Sequence, residues 1–290
     1  MRGLLSLKGI PTEKILEIID LALQFKNGKS VRYPNKKMAT LFFENSTRTL
    51  YSFQAAMINL GIAPVSFNVL QSSVNKGESL YDTVKTFENI GMDGVVIRHS
   101  QDRYYKQLTG IEMPVFNGGD GSSDHPTQTL LDLVTIYEEF GRFEGLKVAI
   151  VGDISHSRVA HGNTELMRRL GMNVYISGPD CFMDGTADCM SLDEATKTAD
   201  IIILLRVQFE RHESSMGMTV NEYHEQYGMT VERTNRMKSG AIILHPAPIN
   251  RGVEIANEVV ECKQSRINNQ MQNGVYTRMA VISMVLEDKL

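Results

Sequence analysis

Three cysteines, Cys181, Cys189 and Cys262, are all the thiol chemistry available to this 290-residue chain. Their number is odd, no two form a C-x-x-C pair and no histidine stands at a zinc-ligand spacing from them. They read as incidental thiols, with neither a disulfide nor a metal site. A basic excess is missing too: 30 lysines and arginines stand against 34 acidic residues, a net charge of −4. That balance argues against an extended nucleic-acid surface, which displaces counterions with surplus positive charge. Any positive potential is therefore local. No apolar run approaches a membrane span, and the opening Met1-Arg2-Gly3-Leu4-Leu5-Ser6-Leu7 is interrupted by Lys8 and Pro11 too soon for a signal peptide. A cytoplasmic protein with no membrane or nucleic-acid partner is expected. Repeats and low-complexity segments are also absent.

What is present is a composition ordinary for a globular enzyme, 42% hydrophobic and 22% charged. The length exceeds that at which single cores usually split, so two domains are expected. Short runs rich in Val, Ile and Phe alternate with helical patterns. Strands are predicted at 38–43, 64–68, 94–98, 114–117, 147–152, 173–177, 201–206 and 241–245. Between them, Leu80, Val84 and Phe87 mark a helix over 78–90, and another runs over 158–170 to a stop at Gly171. This alternation implies α/β architecture with parallel sheets covered by helices on both faces. Eight strands are enough for a closed barrel. Two open sheets of about four strands fit better, because the long helical pattern over 126–140, followed by Gly141, Arg142 and Gly145, reads as a connector between halves.

The unusual residues collect where strands end. Phe42-Phe43-Glu44-Asn45-Ser46-Thr47-Arg48-Thr49 passes from an apolar strand into a helix marked by Leu50, Phe53, Met57 and Leu60 and stopped by Gly61. Free amides at a helix N-terminus, the positive end of its dipole, hydroxyls and a guanidinium make an anion pocket. Taken alone, Ser46 reads only as an N-cap and Arg48 as a solvated charge. The next strand ends lead to Ser72 and Lys76 in a flexible loop, to Arg98-His99, and to Asn117-Gly118-Gly119-Asp120-Gly121 before His125-Pro126-Thr127-Gln128. Four consecutive strand ends carrying cations and donors favour phosphate. In the second half, Arg158 follows Gly152-Asp153-Ile154-Ser155-His156-Ser157, and Arg206-Val207-Gln208 ends another strand. Two arginines suit a dicarboxylate, each holding one carboxylate in a bidentate fork. A dinucleotide site at Gly152 fails, since the G-x-G-x-x-G spacing is absent. His245-Pro246-Ala247-Pro248 reads either as a proline turn or as carbonyls presented to a ligand NH₂.

Together these motifs resemble the aspartate and ornithine carbamoyltransferase family. The resemblance rests on F-E-N-S-T-R-T from Phe43, S-S-V-N-K-G-E-S-L-Y-D-T from Ser72, G-D-G-S-S-D-H-P-T-Q-T-L-L-D-L from Gly119, L-L-R-V-Q from Leu204 and H-P-A-P-I-N-R-G-V-E-I from His245, in order over essentially the whole chain. H-P-A-P in place of H-C-L-P, together with Lys76, resembles the aspartate branch. The resemblance implies a carbamoyl-phosphate-binding domain over 1–140, on which a C-terminal helix at about 271–290 packs back, and an aspartate-binding domain over 141–270, linked by interdomain helices. It further implies that Ser46, Thr47, Arg48, Thr49 and Arg98 hold phosphate and that Thr49, Arg98 and His125 face the carbamoyl oxygen. Gln128 and the carbonyls of Pro246 and Ala247 would bind the carbamoyl NH₂, and Arg158, Arg206 and Gln208 would orient aspartate. Ser72 and Lys76 would enter a neighbouring subunit's site, making a homotrimer the smallest active unit. Regulatory chains or a dihydroorotase are partners the resemblance admits; no cofactor is implied. Two departures stand out, Leu50 where many relatives have a basic residue and Gly118 where Ala is usual.

The reaction so implied is carbamoyl transfer from carbamoyl phosphate to the amine of L-aspartate, in de novo pyrimidine biosynthesis. Catalysis would come from proximity and charge stabilisation without a covalent nucleophile, with domain closure as the gate. A catalytically silent sensor of a phosphorylated metabolite is the alternative, and the presence of Lys76, Arg98, His125 and Gln128 argues against it.

Overall fold

A computed structural model of the chain describes residues 2–207 and 217–290. It divides into two compact units, Met1–Val134 with Met271–Leu290, and Thr135–Gln270. Each unit is built on one open five-stranded sheet, wholly parallel, so the barrel is excluded.

In the first unit the strands are β1 (Gly3–Leu4), β2 (Lys37–Phe42), β3 (Ala63–Ser66), β4 (Gly94–His99) and β5 (Val115–Asp120), in spatial order β1-β5-β4-β2-β3. Helices α1 (Thr12–Lys26), α2 (Thr47–Asn59) and α3 (Leu80–Asn89) connect them, and α4 (Pro126–Phe140) follows β5. Met38, Ala39 and Leu41 of β2 and Val95, Val96 and Ile97 of β4 are all fully buried. Consecutive buried residues, without alternation, are what a parallel sheet covered on both faces requires. From β2 the chain moves outward to β3 on one side, while β4 and β5 extend on the other. The order reverses between β2 and β4, and there a crevice opens beyond the carboxyl ends of the strands.

The second unit repeats this plan with β6 (Lys147–Val151), β7 (Asn173–Ser177), β8 (Asp188–Cys189), β9 (Ile201–Leu204) and β10 (Ile242–Leu244), in order β10-β9-β6-β7-β8. Its reversal lies between β6 and β9. Helices α5 (Arg158–Arg169), α6 (Leu192–Thr198), α7 (Val220–Tyr227) and α8 (Val231–Asn235) belong to it, while α9 (Ile267–Leu286) runs across the boundary between units, as α4 does. No described helix is long and apolar enough to cross a membrane.

The structure corrects the sequence reading in four places. Each sheet gains a two-residue edge strand, β1 and β8, too short to show a period. Arg98 and His99 end β4 rather than follow it. Residues 118–120 continue the strand and are not loop: Asn117 donates to the Leu5 carbonyl at 2.9 Å and accepts from the Gly119 amide at 2.8 Å. A Cβ on Gly118 would lie 3.2 Å from the Ile97 carbonyl, so the glycine permits close pairing with β4. Lastly, the segment with Ser72 and Lys76 folds into two 3-10 turns, Val69–Gln71 and Ser73–Lys76.

Helix caps show one exception that bears on the site. Ser79, Ser157, Ser191, Thr219 and Thr230 each accept a hydrogen bond from an amide in the first turn of the helix they precede. Ser46 has the extended backbone of an N-cap before α2, yet its side chain makes no capping bond.

Candidate active site

The first group of candidate residues lies at the reversal in the first sheet. β2 delivers the chain into the first turn of α2, where Thr47 and Arg48 are exposed and Thr49 is buried. Arg48 makes no hydrogen bond or ion pair with any described residue. Partial desolvation lowers its pKa from the ordinary arginine value. The register of β2 against β4 sets Phe42 beside Arg98, which places the second guanidinium next to the same loop. Arg98 Nη1 donates to the Gly118 carbonyl at 3.1 Å, and its Nε lies 3.5 Å from Glu44 Oε2.

Opposite stands the start of α4. His125 immediately precedes Pro126 at the first helical position, where the missing proline N–H costs nothing. Thr49 Oγ1 and His125 Nε2 approach to 3.5 Å across 76 residues of sequence, and both side chains are buried. Gln128 Nε2 donates to Asp132 Oδ1 at 2.9 Å, one turn along α4, which fixes the orientation of the amide and leaves its Oε1 directed elsewhere. Thr49, Arg98, His125 and Gln128 are thus gathered at one edge of the unit. Ser72 and Lys76 are not joined to them by any hydrogen bond. The Ser72 hydroxyl donates to the Val69 carbonyl at 2.7 Å, while Lys76 is exposed and has no described partner.

The second group lies at the reversal in the other sheet. β6 and β9 pair Val151 with Leu204, so the loops that follow them, with Asp153 to Arg158 and Leu205 to Val207, leave the sheet side by side. Buried Asp153 shapes the first loop by accepting from His156 Nδ1 at 2.9 Å, and Ser157 caps α5 directly before Arg158. Asn250 Nδ2 donates to the Val207 carbonyl at 2.9 Å, tying the Arg206 loop to the segment after β10. Gln208 lies outside the described residues.

That segment holds Pro246 and Ala247, whose carbonyls accept no hydrogen bond from a described residue. Ala247 has φ +55, a left-handed conformation costing a non-glycine residue about 1–2 kcal/mol. His245 and Glu254 hold it there. The Ala247 amide donates to His245 Nδ1 at 2.8 Å, so the other ring nitrogen carries the proton and donates to Glu254 Oε1 at 3.1 Å. Sequence reasoning missed Glu44, Asp132 and this His245–Glu254 pair as supporting groups. Only Asp132 left a signal, the i, i+4 spacing from Gln128.

Comparison with known proteins gives a consistent outcome. The family model for the aspartate/ornithine carbamoyltransferase carbamoyl-P binding domain matches residues 2–138, and that for the Asp/Orn binding domain matches residues 144–285. The aspartate carbamoyltransferase catalytic subunit of Staphylococcus carnosus (strain TM300) is 49% identical over 292 residues, covering 100% of this chain and 97% of the relative. Among solved structures, aspartate transcarbamoylase from Trypanosoma cruzi in complex with carbamoyl phosphate superposes with a TM-score of 0.89 at 29% identity, covering 97% of this chain and 94% of that one. The catalytic subunit of M. Jannaschii aspartate transcarbamoylase does so with a TM-score of 0.87 at 32% identity over 99% of each chain. The chain belongs to the aspartate/ornithine carbamoyltransferase family.

Proposed function

We propose that this chain transfers the carbamoyl group of carbamoyl phosphate to the α-amine of L-aspartate, giving N-carbamoyl-L-aspartate and phosphate in pyrimidine biosynthesis. The observation that carries the reading is the Thr49–His125 contact beside the uncapped start of α2: two donors from separate helices converge where an anion would sit. Ser46, Thr47, Arg48, Thr49 and Arg98 take the phosphate. Thr49, Arg98 and His125 surround the carbamoyl oxygen, where negative charge develops as the amine adds. Each such donor is worth roughly 3 kcal/mol of barrier. Because Asp132 takes the NH₂ of Gln128, its Oε1 is left to accept from the carbamoyl NH₂, as are the carbonyls of Pro246 and Ala247.

Aspartate is held by Arg158, Arg206 and Gln208. Its neutral amine attacks the carbonyl carbon, a C–N bond forms, and the tetrahedral intermediate collapses by breaking the bond to the phosphate oxygen. The departing phosphate takes the amine proton. No covalent enzyme intermediate is required, because carbamoyl phosphate is already an activated acyl compound. The unit built on β1 to β5 is assigned to carbamoyl phosphate and the one built on β6 to β10 to aspartate. Ser72 and Lys76 complete the site of a neighbouring subunit in a homotrimer; the exposure of Lys76 and its lack of a partner within its own chain support this.

A colorimetric assay for ureido product tests the reading. L-Aspartate should be carbamoylated and L-ornithine should not. Equal turnover of ornithine would overturn the substrate assignment, and no turnover of either would favour the silent sensor. Arg206→Ala should raise the aspartate KM by roughly 30-fold or more, since truncating one partner of a buried charge pair costs on the order of 2–5 kcal/mol.

A further inference from the structure

One buried charge in the first unit has no part in the chemistry just described. Arg278 on α9 is 3% exposed, and no carboxylate among the described residues pairs with it. Its Nη1 donates to the Gly274 carbonyl at 2.9 Å and its Nη2 to Thr127 Oγ1 at 3.1 Å, while the guanidinium carbon lies 4.9 Å from the centroid of the Phe53 ring. Nε has no hydrogen-bond partner. Burial pushes the pKa of this guanidinium down to about 9. A cation buried without an acid is costly, and methionine or leucine would fill the same space without that penalty.

The surrounding chain makes a second concession to the same group. A Cβ on Gly274 would lie 2.6 Å from Arg278 Nη1 and 3.3 Å from Leu131 Cδ2. A glycine in the middle of a helix weakens it, so α9 gives up local stability to make room for the guanidinium. What the partners have in common explains both concessions. Phe53 stands one turn after Thr49 on α2, and Thr127 stands two residues after His125 on α4. Arg278 therefore bridges the two helices whose first turns bring Thr49 and His125 together.

We propose that Arg278 is a positioning residue: by stacking on Phe53 while donating to Thr127 it sets α2 against α4 and fixes the spacing of the Thr49–His125 pair. The inference rests on the carbamoyl-oxygen role given to that pair. It needs the planar fork of arginine, because a lysine ammonium cannot present a flat face to the ring and directed donors at its edge in one geometry.

The test compares Arg278→Met, Arg278→Lys and Thr127→Val with the parent protein, using turnover per folded site and thermal melting. Arg278→Met should lower kcat at least 30-fold while the aspartate KM stays within threefold, since Arg158 and Arg206 belong to the other unit. Arg278→Lys should recover only part of the loss, and Thr127→Val should lose about 3- to 10-fold. A folded Arg278→Met protein with kcat within twofold of the parent would overturn the proposal. Should Arg278→Met fail to fold, parental kcat in both Thr127→Val and Arg278→Lys would overturn it equally. The ¹H–¹⁵N imidazole signals of His125, assigned by their loss in His125→Gln, give a readout independent of turnover. They should shift in the Arg278 variants, and unchanged signals in a folded variant would remove the positioning role. Absence of turnover in the parent protein would instead count against the function, leaving the imidazole signals to decide the role of Arg278.

Discussion

At the scale of single residues, the site works through groups that hold one another. Thr49 and His125 share one contact, so their contributions are coupled. Thr49→Val and His125→Gln should each lower kcat about 10²-fold, and the double variant should fall short of the product of the two losses; fully multiplicative losses would show that the two act separately. Asp132→Asn addresses a different coupling. With an amide that can present either its oxygen or its NH₂ in place of an acceptor-only carboxylate, the Gln128 amide is no longer held in one orientation, and the KM for carbamoyl phosphate should rise, by up to about tenfold for the loss of one hydrogen bond. Initial rates at varied carbamoyl phosphate measure it. The first pair could be found in the sequence because each member sits in a motif at a strand end or helix start. Glu44, Glu254 and Arg278 could not, because a carboxylate's or guanidinium's support for a distant group depends on packing that no local spacing encodes.

At the scale of elements, the fold follows from runs of buried residues and their punctuation. The stripe of Phe53, Met57 and Leu60 became the packed face of α2, with half-buried Leu50 at its margin, and Gly61 ends the helix at φ +72. Two-residue strands such as β1 escaped notice because they lack a period, and the glycine-bearing second half of β5 was read as loop because it lacks the β-branched side chains that mark strands. One element joint predicts an acid response. Glu88, at the end of α3, bonds with Lys85 and accepts the amides of Glu112 at 2.6 Å and Met113 at 2.8 Å ahead of β5. The Lys85 bond chiefly, and the two amides with it, hold its carboxyl below the ordinary glutamate value despite the opposing effect of burial. A depressed folded pKa gives stability that is present above the unfolded value of about 4.3 and is lost as pH falls through the folded pKa. Glu88→Gln should therefore melt about 3 °C below the parent at pH 7, with the gap closing below pH 4; a gap constant with pH would deny the linkage.

At the scale of the whole molecule, each of the two sheets has one strand-order reversal, and the proposed function assigns the anion to the first and the dicarboxylate to the second. Strand order, not proximity in sequence, put Arg98 beside the Arg48 loop and the Arg206 loop beside that of Arg158. The motif order underlies the proposed pairing of functions, while the five-strand orders themselves needed the structure. The shared site proposed for the trimer has its own test. Arg48→Ala and Lys76→Ala proteins should each be nearly inactive. After dissociation and random reassociation in equal amounts, each mixed ring holds one site with both cations intact, and roughly a quarter of parental activity should return. Activity no higher than that of the separate variants, after exchange confirmed by native mass spectrometry, would place Lys76 in its own chain's site.

Of the described α-helices begun by Ser or Thr, α2 alone goes without a side-chain cap. If its cap is the phosphate of the substrate, the helix start responds to the shared phosphoryl group and not to the rest of the molecule that carries it. Inorganic phosphate, the leaving product, offers the same oxygens. Turnover in a phosphate-rich medium should then be throttled by the reaction's own leaving group, as inhibition competitive with carbamoyl phosphate. The same ion should slow amide exchange at Thr47 to Thr49. An enzyme built this way carries a gauge of ambient phosphate in the first turn of one helix.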